Sequence, residues 1–255
     1  MAFATVHYHS RSLRKASSIN VVFPDDPPLR RPWAVLYLLH GLSDDHTIWT
    51  RRTSIERYVQ GWPLMVVMPD GGRGWYSNAI EGSAYEEDLV KDVIGLIDRT
   101  FPVKADRAGR AIGGLSMGGY GAVKLGLKHH DKFSSVHSHS GALGILAADH
   151  SKEPELQTEL RRVFGPNPVG GAEDPFALVE KIDHGRLPAL WLDCGTEDGL
   201  LKQNRKFHEH LEKSRVPHEY REFPGGHNWD YWDKHVQDAL AFHVKNLKLK
   251  FDDRG

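Results

Sequence analysis

The sequence predicts an α/β fold with a mostly parallel central sheet flanked by helices, and three observations carry that prediction. Short continuous apolar runs, "AVLYLL" at 34–39 and "LMVVMPD" at 64–70, read as strands buried on both faces. Stretches with helical apolar spacing alternate with such runs along most of the chain. One segment, 142–188, breaks the alternation with helical and loop-rich sequence between two strands.

The elements follow in order. The proline-rich "PDDPPLRRP" precedes the run at 34–39, and "TSIERYVQG" between the two apolar runs has helical spacing and a terminal glycine. "YEEDLVKDVIGLIDRTF" places Leu89, Val93, Ile94 and Ile97 on one helical face. "RAGRAIGGLS" reads as a strand running into the helix "MGGYGAVKLGLKH", and "FSSVHSHSG" as the next strand. "PALWLDCGTED" leads into the helix "LLKQNRKFHEHLEKS", and "HEYREFPGGH" into the helix "YWDKHVQDALAFHVKNLK". The charge-rich "HEHLEKSRVPHEYRE" is a solvated helix face running into a turn and an edge strand. In such a sheet, ligand sites lie at the carboxyl ends of the strands. The excursion at 142–188 is then a cap over the site within a single domain spanning 1–255.

The 255 residues suffice for one large core. Lysine and arginine number 33 against 34 acidic residues, so no basic arm points to nucleic acid and no charged face to a membrane surface. A small-molecule partner is expected, and self-association is left open. The one cysteine, Cys194, excludes an internal disulfide and sits in an apolar strand as a small buried residue. The N-terminal stretch lacks the apolar core of a signal peptide, and no apolar run is long enough to span a bilayer, so a cytoplasmic protein is expected.

The chemistry centres on "GGLSMGGYGA" at 113–122. Gly114 to Gly118 reads G-x-S-x-G between a predicted strand and a predicted helix, the context of a nucleophile elbow. Ser116 is the candidate nucleophile. Gly114 and Gly118 let strand and helix approach, and the Met117 amide at the helix start would face a developing oxyanion. A serine hydroxyl needs a histidine base and a carboxylate to orient that base. Asp198, on the loop ending "LWLDCGTED", is the favoured acid, with Asp193 and Glu197 as rivals. His227, between Gly225-Gly226 and an aromatic cluster, is the favoured base among sixteen histidines because it follows the last predicted strand. The second oxyanion donor is expected from "LLHGLSDDHTIW", through the amide of Leu42 or its neighbour after His40-Gly41.

Trp49, Trp75, Tyr76, Trp229 and Trp232 lie on or near loops at the same end of the sheet and are candidates for a substrate pocket. Core packing explains each of them equally well. His137 and His139 share one strand face, but no third ligand is evident, so no metal site is expected.

Together "YLLHGLSDDHTIW", "MPDGGRGWYSN", "YEEDLVKDVIGLIDRTF", "GGLSMGGYGA", "CGTEDGLL" and "GGHNWDYW" resemble the esterase D and feruloyl-esterase-like branch of the α/β-hydrolases. That branch includes tributyrin esterases, S-formylglutathione hydrolases and antigen 85 mycolyltransferases. The resemblance covers nearly the whole chain. It implies an α/β-hydrolase fold and a cofactor-free serine carboxylesterase acting on short- to medium-chain acyl esters. Its nucleophile would be Ser116, its acid Asp198, its base His227, and its oxyanion hole the amides of Leu42 and Met117. S-formylglutathione hydrolases typically read G-H-S-M-G-G at the elbow and D-H-S-Y around the base. This chain has "GLSMGG" and "GGHNWDYW", which is more similar to the tributyrin-esterase and feruloyl-esterase-like members. The alternatives are an S-formylglutathione hydrolase-type thioesterase, a feruloyl or acetyl carbohydrate esterase, and a catalytically silent binding module of the same fold.

Overall fold

The computed structural model describes residues 1–25 and 31–251. Residues 26–30 of the proline-rich stretch lie outside the described residues. The elements run β1 (Ala2–Ser10), β2 (Lys15–Phe23), β3 (Ala34–Leu39), α1 (Ile48–Arg52), α2 (Ile55–Tyr58) and β4 (Leu64–Pro69). After these come α3 (Tyr85–Glu87), a π-helical stretch at Asp88–Val93, α4 (Ile94–Thr100), β5 (Arg110–Leu115), α5 (Met117–Lys128) and β6 (Ser135–His139). The chain finishes with α6 (Pro154–Phe164), α7 (Pro175–Lys181), β7 (Ala189–Gly195), α8 (Leu201–Lys213), β8 (Glu219–Phe223) and α9 (Trp229–Asn246).

The described strands form one eight-stranded sheet in the order β1-β2-β4-β3-β5-β6-β7-β8. From β4 to β8 every pairing is parallel, whereas β1 with β2 and β2 with β4 are antiparallel. The antiparallel pair is absent from the sequence reading, and the reason is physical. Strand β1 alternates half-buried and exposed residues at the sheet edge, and its histidines, serine and threonine dilute the apolar signal. The segment at 53–61 also departs from its expected helix, which shortens to α2 because the chain must turn back into β4.

The buried strands split their side chains between two cores. In β3, Val35, Tyr37 and Leu39 join the cluster under α4, α5 and α8. Ala34, Leu36 and Leu38 join the opposite cluster with Ile48, Ile55, Trp232, Val236 and Leu240 from α1, α2 and α9. This two-sided burial is why the run reads as continuously apolar. After β3 the chain adds β4 on one side and β5 on the other, so the loops leaving β3 and β5 diverge and open a crevice between them.

The excursion at 142–188 carries α6 and α7 and packs onto the loop after β4 and onto α5. Glu159 of α6 accepts from Arg73 Nε at 2.6 Å and from Trp75 Nε1 at 3.0 Å. The Ile80 and Glu81 amides donate to the carbonyls of Val163 and Arg162. Beneath it, fully buried Lys124 donates to the Tyr76 carbonyl, Ser77 Oγ, Glu86 Oε2 and Glu173 Oε2. Burial alone would raise the Glu86 carboxyl, but His129, Lys124 and Lys128 hold it below the usual carboxylate range.

Candidate active site

At the carboxyl end of β5 the chain turns sharply into α5, and Ser116 sits on the turn with φ 53° and ψ −116°. A positive φ on a non-glycine residue is strained and persists only where the surroundings enforce it. They do so here. A Cβ on Gly114 would meet the Leu39 carbonyl at 2.6 Å, and one on Gly118 would meet the carbonyls of Leu39 and His40 at 2.5 and 2.6 Å. Both clashes are with backbone, so neither position has room for a side chain while β3, β5 and α5 keep their spacing.

Ser116 Oγ donates to His227 Nε2 at 3.0 Å, and His227 Nδ1 donates to Asp198 Oδ2 at 2.9 Å. A carboxylate only accepts, so Nδ1 carries the proton and Nε2 is left with its lone pair toward the serine. The loops bearing Asp198 and His227 are zipped together: the Thr196 amide donates to the Phe223 carbonyl and the Glu197 amide to the Gly225 carbonyl. Burial would raise the Asp198 carboxyl, but hydrogen bonds from His227, the Ser140 hydroxyl and the Leu200 amide hold it below its ordinary value. Asp198 is buried, while the His227 side chain is 36% exposed. The row is thus screened at its acid end and open at its serine end.

The two rival acids are used elsewhere. Glu197 accepts the Thr196 hydroxyl and the Gly225 amide, which makes it a loop clamp. Asp193, fully buried, accepts from His139 Nδ1, Trp191 Nε1 and the Tyr231 hydroxyl. His137 is likewise engaged in the core, with its Nδ1 at 2.6 Å from His243 Nε2. Burial pushes the Cys194 thiol up, which disfavours the thiolate.

The loop after β3 is held from below. The Gly71 amide donates to His40 Nε2 at 2.8 Å, so His40 Nδ1 is the donor to the Gly41 carbonyl at 2.7 Å. In a trans peptide the C=O and the following N–H point in opposite directions. Drawing the Gly41 carbonyl onto His40 therefore turns the Leu42 amide the other way. A Cβ on Gly41 would lie 3.8 Å from Ser116 Cβ, so this peptide runs beside the elbow. Among the described residues, neither the Leu42 nor the Met117 amide is engaged in a loop or side-chain hydrogen bond.

Burial decides the fate of the five aromatic candidates. Trp49, Trp75 and Tyr76 are 1–2% exposed and anchor loops rather than line an open pocket. Trp49 Nε1 donates to the Leu39 carbonyl, Trp75 reaches Glu159, and the Tyr76 hydroxyl accepts the His40 amide at 2.9 Å. Trp232 meets the His227 ring edge-on at 4.9 Å and donates to Ser140 Oγ at 3.4 Å. Trp229 is half-buried and packs edge-on against Trp49 and Trp232. Ser140 and Tyr231, both in this network, escaped the sequence reading. Only the positive φ of Ser140 (48°) and the contact of Tyr231 with Gly225 single them out, and both are features of the folded chain. An apolar cavity of about 390 Å³ lies between the excursion and α8, walled by Leu143, Leu146, Ala147, Val169 and Phe176.

Comparison with known proteins agrees with this architecture. Residues 10–243 match the family model described as a putative esterase. An acetyl esterase of Caldicellulosiruptor saccharolyticus is 30% identical, over 96% of this chain and 99% of its own length. Among solved structures, the substrate-bound fluorophosphonate-binding serine hydrolase FphF of Staphylococcus aureus superposes with a TM-score of 0.85 at 30% identity, covering 95% of this chain and 98% of its own. The S-formylglutathione hydrolase FrmB of the same organism, as apoenzyme, gives a TM-score of 0.82 at 31% identity over 95% and 98%. With the family model matched over residues 10–243 and the acetyl esterase matched along almost the whole of both chains, the chain belongs to the putative esterase family of α/β-hydrolases.

Proposed function

We propose that the chain acts as one α/β-hydrolase domain, with 142–188 as a cap-like excursion, and hydrolyses short- to medium-chain acyl esters through an acyl-enzyme. The observation that carries this reading is the continuous hydrogen-bonded row from Ser116 Oγ through His227 to Asp198. His227 Nε2 takes the hydroxyl proton as Ser116 Oγ attacks the ester carbonyl carbon. The amides of Leu42 and Met117 stabilise the oxyanion. The C–O bond to the alcohol then breaks, and His227 returns the proton to the leaving oxygen. Water loses a proton to His227, attacks the acyl-enzyme and releases the acid, and the proton goes back to Ser116. Every step uses these residues and water alone.

Support for the acyl range comes from the acetyl esterase likeness. The test is a rate panel of p-nitrophenyl esters from acetate to octanoate with wild type and Ser116→Ala. The wild type should turn over the short members, and the variant should lose activity by at least about 10³-fold. Undiminished activity in Ser116→Ala would remove the serine mechanism. The 31% likeness to FrmB favours a second reading, thioester hydrolysis by the same residues. A higher kcat/KM on S-formylglutathione than on any oxygen ester in the panel would select it.

A further inference from the structure

We infer that Asp193, buried beneath the site, is a positioning residue that holds the segments bearing Ser116, Asp198 and His227 in register for the reaction. The inference rests on the catalytic roles proposed above.

The carboxylate is fully buried in β7 and takes no part in the row at the surface. Its Oδ1 accepts the Tyr231 hydroxyl at 2.8 Å, and its Oδ2 accepts His139 Nδ1 and Trp191 Nε1, each at 2.6 Å. Taking such a group out of water is costly, and an apolar residue of similar volume often serves stability as well. What an apolar residue could not do is fix three partners at once.

Two of the three partners lead to different parts of the site, while Trp191 packs with Ala239 and Phe242 away from it. His139 ends β6, and its carbonyl accepts the Ser116 amide at 3.0 Å, so its placement sets the elbow. Tyr231 lies in the first turn of α9, with its amide on Asn228 Oδ1 at 3.1 Å. Its ring stands 2.8 Å from the point a Cβ on Gly225 would occupy, so a shift of Tyr231 moves the loop that carries His227. The third branch leaves through the backbone. The Asp193 carbonyl accepts the Ser140 amide at 2.7 Å, and the Ser140 hydroxyl reaches the Asp198 carboxylate and accepts from Trp232, whose ring abuts His227.

The test compares Tyr231→Phe and Asp193→Asn with wild type and Ser116→Ala on p-nitrophenyl acetate, together with the rate of fluorophosphonate labelling. Tyr231→Phe removes one hydroxyl and keeps the ring against Gly225, so it remains informative if Asp193→Asn fails to fold. Its kcat should fall about five- to fiftyfold with KM within about twofold, since small misplacements of reacting groups act on the chemical step. Labelling should slow in parallel. Wild-type kcat and labelling in folded Tyr231→Phe, whatever its Tm, overturn the inference. So does a rise in KM at constant kcat, which would make Tyr231 a substrate contact. Activity surviving in Ser116→Ala would instead strike the underlying assignment of the nucleophile.

Discussion

Two aspartate–histidine pairs lie on neighbouring parts of the same sheet and end in opposite roles. Asp193 and His139 meet at 2.6 Å with both side chains fully buried, while Asp198 and His227 meet at 2.9 Å with His227 at 36% exposure. The pairing is the same, Nδ1 on a carboxylate, so the second ring nitrogen makes the difference. His227 Nε2 looks out on Ser116 Oγ, whereas His139 Nε2 is buried and has no hydrogen-bond partner among the described residues. In the proposed mechanism His227 is the base because of what its free nitrogen faces, and the sheet decides that by ending. Asp193 lies inside β7, and Asp198 lies three residues past its end.

The comparison is broken most severely at the open pair. Asp198→Asn keeps the shape but reverses the hydrogen-bond preference of His227, so kcat should fall by about 10³- to 10⁴-fold with the fold intact. Steady-state kinetics beside a circular dichroism spectrum check this, and a loss below tenfold would contradict the role given to Asp198. At the buried pair the balance shifts from rate to stability. His139→Ala leaves Asp193 without one of its three donors and should cost about 1–3 kcal/mol in urea unfolding, with kcat down about five- to fiftyfold, as for Tyr231→Phe.

The smallest effect is one of pH, and it sharpens the same contrast. Burial pushes the His243 imidazole, which hydrogen-bonds His137 and Ser135, down to about 3, with His139 adding to the shift. Burial also lowers His137 well below its ordinary value, aided by His139 and His243. In the unfolded chain these rings take up protons below about pH 6.5. The unfolded state therefore binds more protons than the folded one in that range, and stability falls as the pH drops from about 6.5 toward 3. The urea midpoint should be lower at pH 5.5 than at pH 7.5, and a flat profile would show that the buried rings protonate in place.

Legibility in the sequence followed the strength of local signals. The runs at 34–39 and 64–70 were readable as strands because β3 and β4 are buried on both faces and, Tyr37 aside, are wholly apolar up to Pro69. The G-x-S-x-G at 114–118 was readable because strand, turn and helix signals coincide within a few residues. β1 and β2 were not, since the edge strand β1 has only a half-buried face opposite exposed Thr5, His7 and His9, and β2 opens on polar Lys15, Ser17 and Ser18 before its apolar half. Among the aromatics, Trp75 and Tyr76 sit on a glycine-rich loop and were candidates for the pocket, yet α5 covers both and Phe164 of the excursion covers Trp75.

What the sequence determined by itself is what short-range chemistry dictates: the alternation of strands and helices, the glycines that a tight turn demands, and the order serine, aspartate, histidine along the chain. The tertiary structure alone decided which carboxylate meets which histidine. Asp193, Glu197 and Asp198 lie within six residues, and no local pattern separates them. Their partners come from His139, Gly225 and His227, distant in sequence, and it is the parallel pairing of β6, β7 and β8 that brings each to its place. Long-range register is a property of the packed sheet, because a side chain's partner across strands depends on pairings made far away along the chain.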